Sequence, residues 1–177
     1  YIAGSDLERL RAVPSRLMIV VDNKGLADIL NGQAQASDSI CDRALDIFQD
    51  ILALLVSLSA EWKLPAKWIS WRHREFNIEA DAAANAVLDS KPFARAGLAT
   101  ARQGLLPEQT SYLICTDGAS RKTRPPQAAG GWIVRRVDPA SIARIFVGGR
   151  RLSSSLATSS MMAEALTLRE ALQELQT

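Results

Sequence analysis

Four carboxylates in this chain stand in settings that could bring them together around a cation. Asp22 follows the apolar run Leu17-Met18-Ile19-Val20-Val21, and Asp117 follows Tyr112-Leu113-Ile114-Cys115-Thr116 and precedes Gly118. Glu164 lies in Met162-Ala163-Glu164-Ala165-Leu166, and Asp81 closes Arg74-Glu75-Phe76-Asn77-Ile78-Glu79-Ala80-Asp81. A carboxylate just past a buried strand is held at the sheet edge, where α/β proteins bind ligands. Four such groups converging would repel one another unless cations lay between them, so the set implies bound divalent metal. Oxygen-only ligands suit Mg²⁺ or Mn²⁺, and no Cys/His cluster competes for the assignment. Taken singly, each residue has a plainer reading. A strand-end Asp serves as a helix cap or turn residue, Glu164 as a solvated charge, and Asp81 as an ion-pair partner of Arg74. The metal site is an inference from the four together.

The elements that must position these groups are legible from periodicity. Ser5 or Asp6 can cap a short helix running to Val13, which Pro14 stops. Leu17 to Val21 reads as a buried strand of a mostly parallel sheet. Lys24 to Leu30 reads as a helix ended by Asn31-Gly32. From Ser37 a long helix carries Ile40, Ala44, Ile47, Ile51, Leu55 and Leu58 at helical spacing until Pro65. Trp68 to Trp71 is a short strand, and Ile78 to Leu88 an alanine-rich helix suited to close packing. Strands follow at Tyr112 to Thr116, Gly130 to Val137 and Ile142 to Gly148, joined by turns rich in Gly, Pro and Ser. A helix from Ser160 to Gln176 ends the chain, with Met161, Ala165, Leu168, Leu172 and Leu175 on one face.

At 177 residues the chain fits a single domain with a real core. Its 47% apolar and 23% charged residues are ordinary for a globular protein, and a net charge of +2 permits nucleic-acid binding without arguing for it. Cys41 and Cys115 fall in a predicted helix and a predicted strand, as small core residues rather than a disulfide pair or zinc ligands. The longest apolar stretch, Ile51 to Ala60, is too short to span a bilayer, and no signal-peptide pattern opens the chain. The expectation is an intracellular, reducing setting with no membrane partner.

These motifs resemble ribonuclease H, in particular the reverse-transcriptase- and retroelement-associated members of that family, but in a rearranged order. Asp117-Gly118-Ala119-Ser120 is similar to the family's opening-strand motif, and Ala163-Glu164-Ala165-Leu166 to its first-helix motif. Val20-Val21-Asp22-Asn23 resembles the fourth-strand motif. Arg74 to Asn85 resembles the closing motif, the most specific of the four because several fixed positions agree at once. The resemblance covers nearly the whole chain outside a linker at residues 91–110. It implies an α/β, ribonuclease H-like fold: a five-stranded mixed sheet flanked by helices on both faces. Residues 1–90 would be the C-terminal half of that fold and residues 111–177 its N-terminal half. Two arrangements satisfy this order. One is a circularly permuted monomer, which the linker is long enough to close at roughly 3.3 Å per extended residue. The other is a domain-swapped dimer, in which two chains complete each other.

What the resemblance implies chemically is endonucleolytic hydrolysis of the RNA strand of an RNA–DNA hybrid, leaving 5′-phosphate products, with two Mg²⁺ ions that Mn²⁺ can replace. Asp117 would bridge both ions, Glu164 and Asp22 would complete one shell, and Asp81 would hold the other. A retroelement origin implies a nuclear or cytoplasmic setting. Many members place a histidine ten residues before the last Asp; here that position is Trp71, and His73 lies two residues later. His73 is therefore either a displaced catalytic histidine or a structural loop residue. Before the helical Glu the family often carries Asn residues that touch the hybrid. This chain has Thr158-Ser159-Ser160-Met161-Met162, so Ser159 and Ser160 are the candidate substrate contacts there, with Asn77 of the closing motif. Arg121 and Lys122 open a basic loop after Asp117 that would meet phosphate, and Arg150 and Arg151 could add to it. Trp62, Trp68 and Trp71 read as packing rather than base-stacking residues. The alternative to the enzyme is a catalytically inactive module of the same fold that binds nucleic acid or protein.

Overall fold

A computed structural model describes residues 16–34, 42–61, 66–90, 111–124, 126–137, 142–153, 155 and 159–176. The expected helix from Ser5 or Asp6 to Val13, the linker at 91–110, the start of the long helix at Ser37, Cys41, Trp62 and Thr158 lie outside the described residues.

Five strands form one mixed sheet: β1 (Arg16–Val21), β2 (Ala66–Trp71), β3 (Ser111–Arg121), β4 (Gln127–Val137) and β5 (Ile142–Leu152), in the spatial order β2-β1-β3-β4-β5. β1 runs parallel to both β2 and β3, while β3, β4 and β5 form an antiparallel meander. A parallel neighbour needs a crossover. Between β1 and β2 that crossover carries helices α1 (Lys24–Leu30) and α2 (Asp42–Glu61). The remaining helices are α3 (Ile78–Leu88), entered through a 3₁₀ turn at Arg74–Phe76, and α4 (Ser160–Gln176). α1 ends as its sequence indicates. Asn31 is its C-cap, and Gly32 takes the left-handed conformation at φ 71° that a side chain would resist.

Alternation along the strands assigns the two faces. Leu17, Ile19, Tyr112, Ile114, Trp132 and Val134 pack with the apolar stripes of α2 and α4, including Ile51, Leu55, Leu58, Leu168 and Leu172. Met18, Val20, Leu113, Cys115, Ile133 and Val137 pack with Ala80 and Ala83 of α3. The sheet is therefore covered by helices on both faces. Cys115 is a buried thiol in this core.

Two of the closest helix–sheet approaches flank one position on β3. A Cβ on Gly118 would lie 2.5 Å from the backbone carbon of Ala163 and 2.6 Å from the nitrogen of Glu164, so glycine lets α4 lie against the strand there. Opposite Asp117, in register on β4, is Gly131; a Cβ there would lie 2.3 Å from the nitrogen of Ala84 and 2.4 Å from the oxygen of Ala80. That glycine lets α3 settle on the other face. Two absent side chains thus bring two helices onto Asp117.

Several strands run past their expected extents: β2 starts at Ala66 rather than Trp68, β4 at Gln127 rather than Gly130, and β5 ends at Leu152 rather than Gly148; the extension of β3 bears on the site. β3 does not end at Thr116 but runs on to Arg121, because Asp117 to Arg121 keep pairing with Gln127 to Gly131 of β4. Asp117 is therefore inside a strand rather than just past one.

Candidate metal centre

Asp117 points from β3 just beyond the last β1–β3 pair, Val20 with Cys115. Asp22 follows the end of β1, and Glu164 arrives on α4. Carboxylate oxygens of Asp22, Asp117 and Glu164 all lie within 4.8 Å of one another. Asp117 and Glu164 are buried, at 2% and 1% exposure, and Asp22 is half-buried. Three acidic groups from three elements far apart in sequence thus meet at one edge of the sheet.

The backbone holds two of them. Glu164 Oε2 accepts the N–H of Gly118 at 2.8 Å, and Oε1 accepts that of Asp22 at 3.3 Å. Asp22 is further fixed by Trp71, whose indole Nε1 donates to the Asp22 carbonyl at 3.0 Å. Asn23 then caps α1, its Oδ1 accepting from Leu26 N at 3.0 Å. Asp117 Oδ2, by contrast, is buried without a hydrogen-bond partner. A buried carboxylate oxygen without a donor is costly unless a cation meets it. An all-oxygen donor set with one orphaned oxygen fits a hard divalent cation such as Mg²⁺ or Mn²⁺.

The electrostatics carry the same message. Burial, then the charge of Asp22, a side-chain hydrogen bond with Asp81 and the charge of Asp81, push Asp117 up to about 7. Glu164 is raised well above the usual carboxylate range, first by burial and then by Asp22 and Asp117, with the N–H groups of Gly118 and Asp22 opposing. Asp22 is also raised by burial, with its hydrogen bond to Glu164 and the charge of Arg74 acting against it. Burial is the first cause for all three groups, and for Asp117 and Glu164 neighbouring carboxylates add to it; a bound cation would offset both.

Asp81 stands at the rim of this set. It lies in the first turn of α3, near enough to raise Asp117, but is hydrogen-bonded and ion-paired to Arg74. The plainer reading of Asp81 as partner of Arg74 is thus realised alongside its place next to the cluster. Arg74 in turn sits in the fields of Asp117 and Asp22, which raise its own affinity for a proton after the larger effect of Asp81. The sequence marks this residue as part of the closing motif and as a partner for Asp81; its place in the fields of Asp22 and Asp117 as well emerges only in the fold, where it opens the 3₁₀ turn.

The other candidates divide. His73 is exposed and meets Trp71 edge-on, with ring centroids 4.5 Å apart. Asn77, expected to contact substrate, is instead 2% exposed; its amide donates to the Thr116 carbonyl at 2.6 Å, tying the start of α3 to the strand beside Asp117. This bond fixes the backbone beside Asp117, while Asn77 Oδ1 is buried without a hydrogen-bond partner. Ser159 is exposed, and its hydroxyl accepts from Met162 N at 3.2 Å as a cap of α4, next to exposed Ser160. Arg121 pairs with Asp89 at 2.7 Å, and exposed Lys122 follows it. The continuation of β3 sets this basic turn four strand residues from Asp117, roughly 13 Å along the chain. It is therefore not beside the carboxylates. Arg150 pairs with Glu170 at 2.6 Å, and Arg151 donates to Leu88 O and Ser90 Oγ at the end of α3. Trp71 packs against the main core, as expected for a rim residue.

No protein-family model and no curated protein matches the chain. A solved structure of a hypothetical protein from Chlamydia trachomatis is similar over 93% of this chain and 94% of that one, at 11% identity and a TM-score of 0.32. Among the described residues, no helix is long and apolar enough to cross a membrane.

Proposed function

We propose that the chain is a metal-dependent endonuclease of the ribonuclease H type, cutting the RNA strand of RNA–DNA hybrids, with the order of its halves circularly permuted. The observation that carries this reading is the meeting of Asp22, Asp117 and Glu164 within 4.8 Å, with Asp117 buried and one of its oxygens unpartnered. The sheet supports it: a meander carries Asp117 at its first strand, and the strand ending at Asp22 lies parallel beside it.

Asp117, Glu164 and Asp22 would hold one divalent cation, and Asp81 at the rim of the cluster would help hold a second. When bound, divalent cations would supply a deprotonated water at neutral pH and neutralise charge on the scissile phosphate. The chain's own part is positional. The N–H groups of Gly118 and Asp22 orient Glu164, Trp71 fixes the backbone at Asp22, and Asn77 fixes the backbone beside Asp117. Ser159 and Ser160, at the start of α4, are the nearest exposed hydroxyls in sequence to Glu164 and would meet sugar or phosphate oxygens.

The test is cleavage of a labelled RNA–DNA hybrid with Mg²⁺, Mn²⁺ or EDTA, comparing the chain with Asp117→Asn. Metal-dependent cutting of the RNA strand alone, lost in the variant, is the expected result. No cutting by a folded chain that still binds the hybrid would favour the inactive binding module instead.

A further inference from the structure

Arg74 is the one feature of the centre that the proposed chemistry leaves unused. Among the described residues it bonds Asp81, while no lysine or arginine bonds Asp22, Asp117 or Glu164. The four carboxylates are thus divided: three are open to a cation, and the fourth already has one from the protein. Resting on the metal-site reading above, we propose that Arg74 is a built-in cation that occupies Asp81 until a phosphate group draws it away. The ion position served by Asp81 then fills only when a nucleic-acid backbone is present.

Three observations support the gate. The Arg74 side chain is 65% exposed and that of Asp81 27%, so the pair is a surface contact, weak enough to exchange. A pair closed off from water would lock the position instead, because breaking it would strand a buried charge. Arg74 belongs to the short turn Arg74–Phe76 rather than to α3, so its side chain can leave Asp81 without disturbing the helix. A guanidinium also matches two phosphate oxygens with parallel N–H donors as well as it matches a carboxylate. Phosphate and cation would therefore help each other, one removing Arg74 and the other taking Asp81, and the coupling must run both ways. Arg74 is a positioning residue in this scheme: it acts by withholding Asp81.

The experiment titrates Mn²⁺ into the full chain, followed by calorimetry and electron paramagnetic resonance. Wild type, Arg74→Gln, Asp81→Asn and Asp117→Asn are compared, each with and without a duplex of DNA and uncleavable 2′-O-methyl RNA. Wild type should bind one ion well and a second weakly, the second tightening when the duplex is added. Arg74→Gln should bind the second ion roughly fivefold more tightly without duplex, the worth of an exposed ion pair. The duplex should then add little. Asp81→Asn should lose the second ion in every condition. Arg74→Lys keeps the charge but not the fork, and should fall between wild type and Arg74→Gln. An unchanged or weakened second ion in Arg74→Gln would overturn the gate, as would a duplex that leaves wild-type affinity unaltered. If wild type binds no more Mn²⁺ than Asp117→Asn, the metal reading itself fails, a result separable from failure of the gate.

Discussion

Glu164 accepts a 2.8 Å hydrogen bond from the backbone N–H of Gly118, linking the helix that delivers one carboxylate to the strand that delivers another. The contact exists because residue 118 has no side chain: a Cβ would lie within 2.7 Å of three backbone atoms of Ala163 and Glu164. Gly118→Ala should therefore push α4 off the sheet and move Glu164. Overpacking of this kind costs about 2–3 kcal/mol, or roughly 5–10 °C in Tm for a chain of this size. Divalent-ion affinity should fall with it. Gly25→Ala is the control, since its nearest neighbour, Asn23 Oδ1, is 3.4 Å away, and its melting point should change by no more than about 2 °C. Thermal melts in EDTA and Mn²⁺ titrations check both.

Asp117 is crowded by Asp22 and Asp81 and buried from water, so its charge is a burden to the metal-free fold. Asp117→Asn removes that charge at nearly constant volume. The variant should melt higher than wild type in EDTA at pH 8, by about 5 °C, while losing at least 100-fold in hybrid cleavage. Adding Mg²⁺ should raise the melting point of wild type and leave that of the variant nearly fixed. Equal melting points in EDTA would mean that the carboxylates do not repel one another as their spacing indicates.

The same crowding sets a pH dependence. In the native state Asp117 holds its proton up to about 7, well above its ordinary 3.8, and Glu164 and Asp22 shift in the same direction. The native state therefore binds more protons than the unfolded chain through this range. Its contribution to stability is full below about pH 4 and is lost as the pH rises through 7. Metal-free protein should accordingly melt at a higher temperature at pH 5.5 than at pH 8. Mg²⁺ should stabilise it most at pH 8, where the ligands no longer hold protons against the ion. Melts across this range, with and without Mg²⁺, give the sign directly.

Much of the centre was legible in the chain because its parts are local. Leu17 to Val21 before Asp22, and the alanine-rich stretch containing Asp81, carry their strand or helix in their own periodicity, and the helices at 24–30, 78–88 and 160–176 fall where that periodicity sets them. What was hidden depends on pairing between distant segments. That Asp117 lies inside β3 follows from β4 continuing opposite it, and nothing in Gly118 to Arg121 is strand-like alone. Arg121 reads as a free phosphate contact until Asp89, at the end of α3, comes within 2.7 Å. Asn77 reads as a surface residue of a motif until α3 docks over Gly131 and buries it.

That burial yields the last prediction, which separates positioning from substrate contact. Asn77 donates to the carbonyl of Thr116, the residue before Asp117, from a site with 2% exposure. Asn77→Ala strands that carbonyl and opens a small cavity, a cost of about 1–3 kcal/mol. Asn77→Asp should cost more, since a carboxylate cannot donate to a carbonyl and would bring another acid beside the cluster. A residue that touched the hybrid would behave differently: its loss would raise KM and leave Tm alone. For Asn77 the expectation is reversed, with Tm lowered by roughly 3–10 °C and kcat reduced through Asp117 while KM stays within about twofold. His73→Ala serves as the counterpart. Its ring is exposed and packs only edge-on against Trp71, so Tm should hold within about 2 °C, and any kinetic effect reports on chemistry rather than on folding. Steady-state kinetics and melts on the two variants decide which of the two residues the reaction uses directly.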